Sequence, residues 1–115
     1  MACQNVASAT DARAVKAAQD KVAAVAAKHP DLVLVQLDAH ADLRHEWLGA
    51  HHSHACAMRR TLEICPVVQV GIRNIAKEEW EFANSTGQIK KIHFAQKLEL
   101  VDKIEDQLHK SVYIT

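Results

Sequence analysis

Apolar and polar positions follow a helical period in the first part of the chain. Between residues 11 and 28 the apolar residues recur at spacings of three and four, at Val15, Ala18, Val22, Val25 and Ala26. This spacing puts them on one face of a helix, and the surrounding Ala, Lys and Gln favour helix. Asp11 is suited to cap its start, and Pro30 excludes helix at His29. We therefore predict a helix over residues 11–28, preceded by a loose end over residues 1–10.

Short apolar runs rich in β-branched residues come next, and they alternate with further helical stretches. The runs lie at residues 32–37, 67–72, 89–94 and 111–115, of which the third is the weakest. Helices are predicted over residues 54–64, 76–84 and 96–110. The alternation indicates βαβ units, hence an α/β fold with a parallel sheet and helices on both faces. The positions expected deepest in its core are Val33, Val35, Leu37, Val68, Val70 and Ile72.

A polar segment, residues 39–53, follows the first strand and is expected to be a long loop. Ligands of such sheets bind beyond the carboxyl ends of the strands. Asp38, His40 and Asp42 alternate there, so an extended backbone would direct all three side chains to one side. Two carboxylates and an imidazole suit a divalent ion such as manganese. Alternatively, the two aspartates cap turns and the histidine is only solvated.

Composition adds a dense histidine cluster and excludes several classes of partner. Of eight histidines, five fall between residues 40 and 54, and the formal net charge is zero. A neutral chain has no general attraction for nucleic acid or anionic membrane, and no run is apolar enough to span a bilayer. No secretory signal is evident. Three cysteines without paired spacing indicate free thiols in a reducing compartment, so we expect a cytoplasmic protein.

Several segments, in order and at the right spacing, resemble the arginase–agmatinase ureohydrolases. Residues 34–44 resemble that family's second metal motif, Asp-Ala-His-x-Asp after a buried strand. Residues 53–60, Ser-His-Ala-Cys-Ala-Met-Arg-Arg, resemble the segment that follows in agmatinases. Residues 68–73 are similar to the next strand, and residues 112–115 to the strand that leads into the Asp-x-Asp motif. The resemblance covers roughly residues 27–115.

The resemblance implies a three-layer αβα fold and hydrolysis of a small guanidinium substrate, agmatine, to putrescine and urea. It implies two manganese ions in the complete site. Asp38 would bridge the ions, His40 would bind one and Asp42 the other, and His54 would be the catalytic histidine that shuttles protons beside the substrate. It also implies a homo-oligomer. No role is implied for His45, His51 and His52, which are expected to be solvated.

Departures from the family pattern leave this ligand set incomplete. The upstream Gly-Gly-Asp/Glu-His motif has no counterpart, because no histidine precedes His29, and the downstream Asp-x-Asp-x-x-Asp-Pro motif and a later glutamate are absent. We therefore expect an internal fragment carrying a partial ureohydrolase domain over residues 11–115, inactive on its own. Alternatives are an arginase, a guanidinobutyrase, a formimidoylglutamase or a non-catalytic relic.

Overall fold

The computed structural model describes residues 2–97, 104–108 and 111–115. The helices are α1 (Ala2–Lys28), α2 (Ala57–Thr61) and α3 (Lys77–Thr86). The strands are β1 (Leu32–Leu37), β2 (Val67–Ile72), β3 (Ile92–Phe94) and β4 (Ser111–Ile114). Single turns of 3-10 helix lie at His54–Cys56, Gln88–Lys91 and Glu105–Gln107.

The four strands form one parallel sheet in the order β3-β2-β1-β4. In the centre, Leu34 of β1 lies between Val67 of β2 and Tyr113 of β4. The predicted α/β fold with a parallel sheet is therefore confirmed. The connections from β1 to β2 and from β2 to β3 each move one strand in the same direction. The connection from β3 to β4 returns across the sheet to the other side of β1. Right-handed crossovers place connections of opposite direction on opposite faces.

The core follows this division into two faces. One cluster packs Leu34 and Val67 against Val22 of α1, Met58 of α2 and Ala83 of α3. The second cluster, on the opposite face, has as its buried members Val33, Val35, Val68 and Ile104. The three α-helices thus cover one face, here called the helical face, and the segment returning toward β4 packs on the other.

Helix α1 is longer than its predicted extent. It starts at Ala2, so the backbone of residues 2–10 is helical rather than loose, and Asp11 lies inside the helix instead of capping it. No glycine or proline interrupts the 27 residues of α1, and alanine is the best helix former among them. His29 ends the helix before Pro30, as predicted. None of the helices in the described residues combines the length and apolar character needed to span a membrane.

Other elements differ from the prediction in extent or burial. Leu37 is 59% exposed, and its register partner Val70 is only half-buried. The described core does not extend fully over the end of β1 where these two residues lie. The predicted third strand begins with a 3-10 turn, and only Ile92–Phe94 is extended. Of the helix predicted over residues 96–110, residues 98–103 and 109–110 lie outside the described residues, and a 3-10 turn is found at Glu105–Gln107.

Candidate functional site

The ends of β1 and β2 position the loop that follows Leu37. The N–H of Asp38 donates to the carbonyl of Val70 at 3.1 Å, so the pairing of the two strands continues past β1. Farther on, the carbonyl of Ala39 accepts the N–H groups of Arg73 and Asn74, both at 2.9 Å. The loop therefore leaves the carboxyl edge of the sheet with its backbone fixed against the neighbouring strand end.

Gly71 is favoured at the neighbouring strand end by its backbone conformation. Its φ is 89°, in the left-handed region that favours glycine, and the register of β2 shifts there between Val70 and Ile72. A Cβ at this position would lie 3.4 Å from the carbonyl oxygen of Asp38. The bulge thus lets the end of β2 pass beside the first residue of the candidate site.

Asp38 and His40 contact each other directly. One oxygen of Asp38, Oδ1, accepts the backbone N–H of His40 at 2.9 Å and lies 3.3 Å from its Nδ1. Burial raises the pKa of the Asp38 carboxyl, but the bonds from His40 and from the Ala39 backbone outweigh it, so this pKa lies below its ordinary value. Asp38 is therefore a carboxylate at neutral pH, held against an imidazole.

Asp42 is more enclosed and is held in a left-handed backbone conformation, with φ at 54°. Its carbonyl accepts the N–H groups of Met58 and Arg59 at the start of α2, at 2.9 and 3.0 Å. Burial, and after it the negative charge of Asp38, raise the pKa of the Asp42 carboxyl to about 7, against smaller opposing effects of His54 and His40. The site thus holds two nearby carboxyl groups whose charges a cation would compensate.

His54 begins the 3-10 turn that precedes α2, and its side chain is exposed. Ser53 caps this turn by accepting the N–H of Ala55 with its hydroxyl at 3.2 Å. His54 acts on Asp42 electrostatically, by lowering its pKa. The turn therefore places a histidine beside the carboxyl groups although it lies twelve or more positions after them in the chain.

The four predicted residues, Asp38, His40, Asp42 and His54, all line one cavity of about 300 Å³. Its lining consists of Asp38, His40, Ala41, Asp42, Arg44, His54, Ala55, Asn74 and Glu79. Asp38, His40 and Asp42 thus line one space together with His54. Two carboxylates and an imidazole suit manganese, but in the described residues no three His, Cys, Asp or Glu side chains are grouped as a ligand set. Their role as metal ligands stays a prediction.

A second cavity of about 290 Å³ adjoins the first between α1 and the sheet. Both cavities include Asp38 and Asp42 in their walls. The remainder of the second wall is mostly apolar and comes from α1, α2, β1 and the C-terminal segment, which contributes Tyr113 and Thr115. The two aspartates therefore stand where the polar cavity meets an apolar one.

Several residues around the site were not among those predicted from the sequence. Glu79 lines the cavity from α3, and Arg44 pairs with Glu78 while its guanidinium lies 4.7 Å from the centre of the Trp47 ring. Gln36 donates to a carboxylate oxygen of Asp42 at 3.3 Å. A signal for Gln36 was present, since a glutamine inside an apolar strand must find partners. Glu79 gave no such local signal.

The other histidines of the cluster lie away from this cavity. His45 and His51 are exposed, as predicted, with their ring centres 4.8 Å apart. His45 Nδ1 lies 3.0 Å from a guanidinium nitrogen of the buried Arg60, so this histidine has a structural contact. His52 is only half-exposed.

The chain is similar in sequence to known proteins. The sequence model of the Arginase family matches residues 16–115. An agmatinase of Bacillus subtilis is 35% identical over 95 residues, which are 76% of this chain and 31% of that protein. The N(1)-aminopropylagmatine ureohydrolase of Synechocystis is 49% identical over 47 residues, 40% of this chain and 15% of that enzyme. The chain therefore spans at most about a third of the length of these relatives.

Solved structures show the same likeness. The agmatine ureohydrolase of Thermoplasma volcanium superposes with a TM-score of 0.64 and 26% identity, over 90% of this chain and 45% of that one. A Clostridium difficile protein assigned as an agmatinase also gives a TM-score of 0.64, with 30% identity over 79% of this chain and 34% of that one. The shared fold extends through the sheet that carries the candidate site.

Proposed function

Since the chain belongs to the arginase family, we propose that it forms part of a manganese-dependent ureohydrolase that converts agmatine to putrescine and urea. The observation that carries the proposal is the polar cavity at the end of β1, whose lining includes Asp38, His40, Asp42 and His54. The agmatinase relatives favour agmatine over other guanidinium substrates. The N(1)-aminopropylagmatine ureohydrolases among the relatives make that longer substrate the second candidate.

Three residues would hold the metal in the complete site. Asp38, His40 and Asp42 would hold manganese there, and the bound metal would supply a hydroxide at neutral pH. The carboxyl group of Asp42 is well suited to this role, because its burial beside Asp38 is unfavourable without a compensating cation. The contact between Asp38 and His40 keeps the first two side chains on the same side of the loop.

The remaining chemistry falls to residues around the cavity. Hydrolysis of a guanidinium group breaks a C–N bond, and the departing amine requires a proton. His54, exposed at the cavity wall, would deliver that proton, since an imidazole can act as a general acid. The carboxylates of the cavity also attract the cationic substrate before it reacts.

We propose further that these 115 residues do not turn over substrate by themselves. Asp38, His40 and Asp42 are only part of the ligand set that the family resemblance implies, and a hydroxide shared by two ions needs both ions held firmly. Two buried free thiols, Cys56 and Cys65, support a cytoplasmic location, and the family resemblance supports a homo-oligomer.

Urea release from agmatine tests the proposal in a longer protein that contains this chain together with the absent motifs. We expect activity that a chelator removes and manganese restores. Asp38→Asn in that protein should lower kcat/KM by more than about 100-fold, because loss of even an outer-shell partner costs a metal site up to that factor. His51→Ala, in the same histidine cluster but outside the cavity, is the matched control and should leave activity unchanged.

Two results would contradict the proposal. The first is full activity of the Asp38→Asn protein, which would remove the residue from the chemistry. The second is brisk urea release by the 115-residue chain alone, which would mean that other side chains, such as those of His45, His51 and His52, build the site. A longer protein that binds manganese but releases no urea from either candidate substrate would favour a non-catalytic relic.

A further inference from the structure

Three glutamines are buried side by side on the helical face of the sheet. Gln36 of β1 is 3% exposed, its register partner Gln69 of β2 is 0% exposed, and Gln88, after α3, is 5% exposed. An amide removed from water is costly unless hydrogen bonds replace those it made with the solvent. These three buried amides therefore require hydrogen-bond partners within the protein.

The three amides form one chain that ends on Asp42. Gln88 donates from Nε2 to Oε1 of Gln69 at 3.1 Å, and Gln69 donates from Nε2 to Oε1 of Gln36 at 2.7 Å. Gln36 in turn donates from Nε2 to Oδ2 of Asp42 at 3.3 Å. The chain therefore crosses the sheet from the side of β3 to the candidate site at the end of β1.

Each amide also uses its second N–H on a backbone carbonyl. Gln36 donates to His40 at 3.0 Å, and Gln69 donates to Ala41 at 2.7 Å. Gln88 donates to Val67 at 3.0 Å. Two of these carbonyls belong to the loop between Asp38 and Asp42, so the glutamines hold its backbone as well as one carboxylate.

The direction of the chain is determined by its two kinds of acceptor. Turning the Gln36 amide around would set its Oε1 against the carbonyl oxygen of His40 and its Nε2 against the Nε2 of Gln69. Both contacts would pair like with like, because a carbonyl oxygen only accepts while the NH2 group only donates. The same holds at each preceding amide, so the orientation of one glutamine sets that of the next.

We propose that Gln36, Gln69 and Gln88 are positioning residues, a directional amide chain that sets the orientation of the Asp42 carboxylate and of the loop that carries His40. None of the three touches the cavity of the candidate site. They act on it through Asp42 and through the carbonyls of His40 and Ala41. Their importance for metal binding rests on the proposed function, but their effect on Asp42 does not.

Propagation along the chain is tested at the end far from the site. In the isotope-labelled 115-residue chain, Gln88→Met removes the first donor and keeps the size of the side chain. We expect the side-chain amide resonance of Gln36 and the carboxyl carbon resonance of Asp42 both to shift, although neither residue contacts Gln88. Val68→Ala is the matched control, because Val68 is buried on the opposite face next to Gln69 and should destabilise the core without moving either resonance.

Unchanged resonances of Gln36 and Asp42 in folded Gln88→Met would overturn the proposal. If Gln88→Met does not give a cooperative unfolding transition, Gln36→Met is the second variant, since it cuts only the last link. There the carboxyl carbon of Asp42 should still shift, and an unshifted carboxyl resonance would equally reject a positioning role.

Manganese binding, followed by electron paramagnetic resonance, provides a second readout that does not need catalysis. Gln36→Met should weaken manganese binding by about 10-fold, in the range found for outer-shell partners of metal ligands. An affinity equal to that of the unaltered chain would contradict the positioning role. If the unaltered chain binds no manganese, in itself or within the longer protein, the proposed function fails, and the amide chain is then decided by the resonance shifts alone.

Discussion

Two adjacent glutamates at the start of α3 have opposite environments. Glu79 is 6% exposed, and its carboxylate accepts the N–H of Leu43 at 2.8 Å and the N–H of Ala76 at 2.9 Å. Glu78, with 58% of its side chain exposed, pairs with Arg44. Glu79 thus caps the first turn of the helix and at the same time holds the residue after Asp42. Glu78 makes a surface ion pair of the kind that contributes little.

Replacing each of these glutamates by alanine should separate the two roles. Glu79→Ala should lower the free energy of unfolding by about 2–3 kcal/mol, because it leaves two backbone donors without a charged acceptor. Glu78→Ala should lower it by less than about 1 kcal/mol. Urea denaturation of both variants measures the difference. Equal losses would mean that the buried carboxylate stabilises the loop no more than the exposed one.

At the scale of elements, β1 is the strand on which the site depends. Val33 and Val35 are buried on the face opposite the helices, while Leu37, two residues farther on the same face, is 59% exposed. The strand therefore changes from core to surface within two residues of Asp38. The prediction that all three apolar side chains are deeply buried is correct for the first two and wrong for Leu37.

This change along one strand gives a matched pair of truncations. Val35→Ala should lower the free energy of unfolding by about 1–3 kcal/mol, from lost apolar burial and the cavity left behind. Leu37→Ala removes a larger side chain but should stay within about 0.5 kcal/mol of the unaltered chain, as surface substitutions do. Thermal and urea unfolding of the two variants test this. A larger loss for Leu37→Ala would show that this side chain is covered in solution.

At the scale of the whole molecule, the β4 side of the sheet presents apolar surface. Within the described residues β4 is an edge strand, with β1 as its neighbour. Val112 is 40% exposed and Ile114 is 67% exposed, on the same face as Leu37. Ser111–Ile114 carries no charged residue, and charges on edge strands are a usual protection against pairing with another chain.

We therefore expect the 115-residue chain to self-associate through β4, and a charge at this edge to oppose it. Ile114→Lys should shift the chain toward monomer in sedimentation velocity runs over a range of concentrations. Leu48→Lys places the same charge on an exposed leucine of the loop after β1 and should leave the association unchanged. Association that persists equally in both variants would place the contact elsewhere on the molecule.

Local patterns were enough to predict the alternation of elements and the position of the site. Periods of three to four and near-continuous apolar runs are set by neighbouring residues, so they located β1, β2, β4 and the end of α1. The site followed from a general property of parallel sheets, because Asp38 directly follows β1 and the carboxyl edge is where side chains of several elements meet. The shared cavity of Asp38, His40, Asp42 and His54 agrees with that expectation.

Only the tertiary structure decided which distant residues support that site. Glu79 reaches Leu43 across 36 positions of the chain, and Gln69 reaches Gln36 across 33. The exposure of Leu37 likewise depends on what packs over the end of β1. Each of these features depends on which distant segments the fold brings together. The pattern of apolar and polar residues along the chain does not encode those distances. The sequence by itself therefore determined the elements and the place of the candidate ligands, whereas the fold determined what orients them.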